Sequence, residues 1–168
     1  MSDLIDEYFV NHLNLSPEDA VALHQKYYKE YGLAIDGVVR HHSDIDPLDF
    51  NAKVDDALPL ENVLEPSEEL QKLFSDIDPS KVKLWLFTNA YVTHGKRVVR
   101  LLGLEKYFEG LTYCDYSAPG GRLIAKPNRE MFAKAMTEAQ VAEMKDCYFV
   151  GEYLLQNLCI VILIRCAR

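Results

Sequence analysis

Residues 82–89, Val82-Lys83-Leu84-Trp85-Leu86-Phe87-Thr88-Asn89, decide the fold. The first six are a nearly continuous apolar run of strand length, the pattern of a strand buried in a parallel sheet. Thr88 and Asn89 then end the run with short polar side chains. Downstream, residues 93–102 have the spacing of an amphipathic helix that stops at Gly103. Leu111 to Cys114 reads as a second strand, Arg129 to Thr137 as a helix behind Lys126-Pro127, and Cys147 to Val150 as a third strand. Upstream, Ser67 to Ile77 reads as a helix with Leu70, Leu73 and Phe74 on one face, and Asp78-Pro79-Ser80 breaks it. Strands alternating with helices predict a parallel α/β sheet. Ligands of such sheets bind beyond the carboxyl ends of the strands.

The first 64 residues follow a helical period instead. Leu4, Ile5, Tyr8, Phe9, His12 and Leu13 share one face, and Asn14-Leu15 breaks the pattern. Ser16-Pro17-Glu18-Asp19 is a strong helix start: a capping hydroxyl, a proline suited to the first position, and acids at the positive end of the dipole. That helix is expected to reach Tyr31 and stop at Gly32. Leu33 to His42 forms a third, Asp46-Pro47 opens a short fourth, and Leu58-Pro59-Leu60 closes the group. Short helices joined by tight loops predict a bundle. After Val150 the chain reads GEYLLQNLCIVILIRCAR, with no loop, helix and strand of ordinary proportions. Residues 158–164 are either one more strand or part of an unselected tail. The expected organisation is thus a helical bundle over 1–64, an α/β core over 65–150 and a divergent tail over 151–168.

Composition narrows the function classes. The chain has 168 residues, 49% hydrophobic, enough for one domain with a small insertion. Net charge is −8, against the basic surface of a nucleic-acid binder. The halves differ: residues 1–80 carry 5 Lys/Arg against 18 Asp/Glu, net −13, and residues 81–168 carry 13 against 8, net +5. An anionic ligand is therefore expected to depend on the second half. Cys114, Cys147, Cys159 and Cys166 include no CxxC pair, so neither a zinc site nor a disulfide framework is signalled. The acidic amphipathic start is unlike a secretory signal, and the longest apolar run, Leu158 to Ile164, is too short to cross a bilayer. These features lead us to expect a soluble chain of the cytoplasm or nucleus, with no nucleic-acid or membrane partner.

Three strand ends carry chemistry. Thr88 and Asn89 follow the first strand, Lys126 precedes a helix, and Gly151-Glu152 follows the third strand. A hydroxyl, an amide, an ammonium and a carboxylate converging at one sheet edge hold a phosphate and Mg²⁺. In the bundle, Tyr27, Tyr28 and Tyr31 with His41 and His42 offer stacking surfaces for a base, with Tyr28 and His41 as candidate contacts. Helical spacing equally accounts for Tyr27 and Tyr31 as packing residues. His94 falls near the expected site mouth, and Trp85, inside the strand, is expected in the core.

The stretches LSPEDA, YYKEYGLAIDGVVRHH, VDDALPL, KLWLFTNAYVTH and RLLGLEKYFEGLTYCDYS, with Lys126-Pro127, resemble the haloacid-dehalogenase-like phosphatases, in particular the fungal pyrimidine 5′-nucleotidase group. The resemblance covers roughly residues 1–150. It implies a Rossmann-like core with a helical cap, and Mg²⁺-assisted hydrolysis of nucleoside 5′-monophosphates to nucleoside and phosphate. Thr88 matches the second family motif, whose hydroxyl binds the transferring phosphoryl group, and Asn89 supplies its neighbouring amide. Lys126 matches the third, which neutralises phosphoryl charge. Both roles are electrostatic positioning, the dominant element of phosphoryl transfer.

Two motifs depart. The family opens with an apolar strand ending in Asp-x-Asp, whose first Asp is the nucleophile, and no such run occurs here. Asp44-Ile45-Asp46 has the letters but follows His41-His42-Ser43, and reads as a solvated loop. At the fourth motif, paired aspartates give way to Gly151-Glu152 with Gln156 and Asn157 downstream, leaving Glu152 as a weakened metal ligand. Both departures lie at the ends of the resemblance, which points to truncation. Gly151-Glu152-Tyr153 can be encoded by a sequence containing an intron start, so an unspliced or alternatively spliced product is expected. A phosphatase scaffold inactive by itself is the leading expectation. The alternative is a non-catalytic protein that binds a nucleotide or a protein partner. Loss of a central strand would also leave two unpaired sheet edges that promote aggregation.

Overall fold

The computed structural model describes residues 1–118, 122–150 and 160–165, the last as backbone. The chain divides into two compact units: Met1–Leu58 with Asp115–Leu123, and Pro59–Cys114 with Ile124–Arg168.

The first unit holds α1 (Ser2–Leu13), α2 (Pro17–Tyr31), α3 (Ala34–His41) and α4 (Pro47–Lys53). Local chemistry sets their ends. Ser16 Oγ accepts from the Asp19 amide at 3.1 Å, with Pro17 in the first turn of α2. Asp46 caps α4 by accepting from the Leu48 amide at 2.9 Å. Gly32 ends α2 in the left-handed region, φ 79°, where glycine carries no Cβ penalty. The apolar faces meet in a core of Phe9, Ala20, Val38 and Val54, all fully buried. Tyr8 donates its hydroxyl to Asp49 Oδ2 at 3.0 Å, joining α1 to α4. Burial and that carboxylate together push the Tyr8 phenol well above its ordinary range.

The second unit contains α5 (Glu68–Ser75), β1 (Val82–Phe87), α6 (Val92–Leu101), β2 (Gly110–Thr112), α7 (Arg129–Glu138), β3 (Cys147–Val150) and β4 (Ile160–Arg165). The α/β architecture expected from the alternation is present. Leu86 and Phe87, adjacent in β1, point to opposite faces of the sheet. Phe87 packs with Met131, Ala135 and Ala139 from the α7 region, and Leu86 packs with Val99 and Leu104. Covering both faces is why β1 reads as a nearly continuous apolar run. Trp85 is half-buried rather than fully enclosed. It packs beside the Phe87 cluster and donates Nε1–H to Thr112 Oγ1 at 2.9 Å.

The sheet order is β2-β1-β4-β3. The β1–β2 pair is parallel, as expected, with Leu86 opposite Leu111. Beside this parallel pair the tail adds β4, which pairs antiparallel with both β1 and β3. The tail left open between strand and unselected sequence contains a strand, and it covers the two edges expected to be bare. The reason is chemical: IVILIR is β-branched and apolar, and the facing edges of β1 and β3 present backbone groups that need partners.

A 3-10 turn at Leu60–Asn62 is tied to α6 by the Arg97 guanidinium, whose Nε donates to Glu61 Oε1 at 2.9 Å. This hydrogen bond holds the Glu61 carboxyl down at about 2. A carboxyl lowered in the fold stabilises it above its ordinary value and loses that contribution as pH falls toward the lowered one. The melting temperature of Glu61→Gln is therefore expected to lie slightly below that of the unaltered chain at neutral pH. The gap should close between about pH 4.5 and pH 2 in thermal melts.

Candidate active site

The carboxyl end of β1 gathers the residues singled out by sequence. Thr88 is fully buried; its amide donates to Thr112 O at 3.0 Å, and its Oγ1 accepts from the Ala90 amide at 3.1 Å. Asn89, also fully buried, clamps a chain segment 37 residues away. Its Oδ1 accepts from the Lys126 amide at 2.7 Å and its Nδ2 donates to the Lys126 carbonyl at 3.1 Å. Lys126, 8% exposed, donates Nζ–H to the Phe87 carbonyl at 3.0 Å and stands 5.1 Å from the Phe87 ring centre. The Lys126–Pro127 peptide is cis. Asn128 closes the segment: its amide donates to Ala125 O at 2.8 Å, and its Oδ1 caps α7 by accepting from the Glu130 amide at 2.9 Å.

A buried ammonium is costly unless hydrogen-bonded, and here a carbonyl and a ring face support it. With the Thr88 hydroxyl on the same strand end, the arrangement can hold and neutralise an anion. Two features escaped the sequence reading. Asn89 acts through its side-chain amide on Lys126 as well as through its own backbone position. Phe87 supplies both a carbonyl and a ring face to the lysine. A polar pair directly after an apolar strand is the signal that the strand end matters, though not which distant segment it grips.

Glu152 lies outside the described residues. Among those described, no group of three His, Cys, Asp or Glu side chains is placed to hold a metal ion. None of the four strands contains an Asp or Glu. Mg²⁺ needs oxygen donors, usually carboxylates among them, so the described strand ends do not fit the ion that the resemblance implies.

The bundle candidates lie in the other unit. Tyr28, on α2, is 36% exposed. His41 ends α3, with Nε2 hydrogen-bonded to Tyr31 Oη at 2.7 Å and its ring stacked on Tyr27, centroids 5.4 Å apart. Tyr27 is buried, and its hydroxyl is hydrogen-bonded to His42 Nε2 at 2.9 Å. These rings thus pack on one another, the role that helical spacing allowed for Tyr27. His94 sits in the first turn of α6, half-buried. Asp44 and Asp46 are exposed, in the turn that opens α4.

Comparison with known sequences identifies the family. The family pattern described as haloacid dehalogenase-like hydrolase matches residues 5–152. Phosphate metabolism protein 8 of Saccharomyces cerevisiae is 32% identical over 157 residues, covering 90% of this chain. The chain spans about half of that relative's length, 49%. With an α/β core, a helical unit and a match over most of its residues, the chain belongs to the haloacid dehalogenase-like hydrolases.

Proposed function

We propose that the second unit is the phosphoryl cradle of a phosphatase acting on nucleoside 5′-monophosphates, and that residues 1–168 alone bind such esters without hydrolysing them. The observation supporting this reading is the convergence of Thr88, Asn89 and Lys126 at one strand end, through contacts spanning 37 residues. In this reading the Thr88 hydroxyl donates to a phosphoryl oxygen, and the Lys126 ammonium offsets the negative charge. Asn89 positions Lys126 and does not itself touch the ester. Mg²⁺ belongs to the family chemistry, but no step is assigned to it here because the described strands bring no carboxylate.

The expected inactivity is supported by the neighbours of β1: among the described strands, neither β2, Gly-Leu-Thr, nor β4, Ile-Val-Ile-Leu-Ile-Arg, brings an acid beside it. The same feature favours the second reading, a non-catalytic protein that binds a nucleotide or a protein partner.

Calorimetric titration with UMP and with inorganic phosphate tests the cradle. Lys126→Ala is expected to weaken both by at least about tenfold. Equal affinity in the variant would remove the cradle from consideration. In parallel, phosphate release from UMP or CMP by the purified chain with Mg²⁺ is expected at background level. Turnover near an ordinary enzyme rate, about 1 s⁻¹ or faster, would refute the claim of inactivity.

A further inference from the structure

A cleft of about 420 Å³ opens along the seam between α6 and β2. That volume lies within the range of small-molecule sites, about 300 to 1,000 Å³. Leu86, Val99 and Leu111 form its floor, the first two of them buried, and Val92, Phe108 and Tyr113 form its walls. Neither Thr88, Asn89 nor Lys126 lines it. Val92, Lys96 and Val99 recur at helical spacing, so one face of α6 turns to the cleft. The seam stays open because β2, only three residues long, is the outer strand of the described sheet.

Polar groups meet this apolar surface at three points. Lys96 stands on α6, and Glu105 opens the 3-10 turn beyond the end of that helix. Among the described residues neither side chain has a hydrogen bond or ion pair, and the two do not pair with each other. Neighbouring charges behave otherwise: Arg97 is paired with Glu61, and Lys83 with Glu109. The third point is backbone. Thr112 O accepts from the Thr88 amide, so by strand alternation the peptide groups of Leu111 turn away from β1. Direction orders the three. A helix joining parallel strands runs against them, which places Val92 and Tyr113 at the carboxyl end of the seam. Glu105 and Phe108 lie at the opposite end, where the chain enters β2.

We infer that this cleft binds a short apolar zwitterion whose charges lie at its two ends with an amide between them, the chemistry of an apolar dipeptide with free termini. Its carboxylate meets Lys96, its ammonium meets Glu105, and its amide bonds to the outward peptide groups of Leu111. Its side chains cover Leu86 and Val99. Two unlike charges held apart on one cleft select such a ligand, since a simple carboxylate is repelled by Glu105 and a simple amine by Lys96. A wholly apolar ligand would cover the floor and pair neither charge. The inference does not rest on the phosphoryl reading, because the cleft shares no lining residue with the Thr88, Asn89 and Lys126 group.

Leucyl-phenylalanine is the probe, titrated into the full chain at low ionic strength, where exposed charges are least screened. Calorimetry is expected to give a Kd of about 1 mM or tighter. The methyl signals of Leu86, Val92, Val99 and Leu111 are expected to shift on titration. Lys96→Gln and Glu105→Gln alter exposed side chains without partners, so both variants are expected to fold. Each is expected to weaken binding by at least about threefold. Chemical changes to the ligand check the pairing without relying on either variant. Acetylating its amino group is expected to weaken binding by a similar factor and to abolish the effect of Glu105→Gln. Amidating its carboxyl group is expected to do the same for Lys96→Gln. Losses that simply add, whichever end and residue are combined, would overturn the inference. So would the absence of binding up to about 10 mM dipeptide. Displacement of the dipeptide by inorganic phosphate would place it at the strand end beside Lys126, and would overturn the inference as well.

Discussion

Replacing Asn89 by alanine is expected to lower the unfolding free energy by about 2 to 4 kcal/mol in urea titrations monitored by circular dichroism. Asn89 is fully buried, and its side chain satisfies both the amide and the carbonyl of Lys126 at 2.7 and 3.1 Å. Alanine removes both partners at once and leaves two buried backbone groups without them. Each buried polar group without a partner costs about 1 to 3 kcal/mol. Asn89→Asp separates the two bonds, because a carboxylate still accepts from the Lys126 amide but cannot donate to its carbonyl. A loss below about 0.5 kcal/mol for alanine would mean that water or a rearranged loop replaces the clamp. The same substitution is expected to weaken phosphate binding, because Lys126 would no longer be held at the end of β1.

Gly37→Ala is expected to destabilise the first unit by about 2 to 3 kcal/mol net, read as a lowered thermal midpoint. Gly37 lies on α3, where alanine would ordinarily add about 1 kcal/mol through helix propensity. Packing reverses the sign. A Cβ built there lies 2.2 Å from Tyr27 Cγ and 2.6 Å from Tyr27 Cβ. These atoms are at the root of a buried side chain, so no rotamer change clears them and the two helices must separate. Tyr27 also stacks on His41 and is hydrogen-bonded to His42, so the displacement would disturb that whole aromatic group. A neutral or stabilising result would show that α2 and α3 have room to slide.

Much of the fold was legible before any coordinates. The Ser16-Pro17 start and the Gly32 stop set α2 because capping and backbone freedom are local properties. The run over 82–87 marked a strand covered on both faces, since only such a strand can be apolar at successive positions. Of the candidate site, Thr88, Asn89 and Lys126 were visible as residues placed at strand and helix ends. The clamp between Asn89 and Lys126 was not, because a hydrogen bond across 37 residues leaves no periodic trace.

The tail marks the same division most sharply. Composition alone determined that Ile160–Arg165 is capable of forming a strand, because β-branched apolar residues favour extended, half-buried backbone. It could not determine where that strand goes or which way it runs. Both were decided by the edges of β1 and β3, whose unpaired backbone groups accept a strand of either direction and take the one within reach. Sequence by itself determined the elements and the chemical character of the strand ends, through local torsional preference and burial pattern. Tertiary structure alone decided which ends meet and which strand stands beside β1, because pairing is a property of space and not of sequence separation.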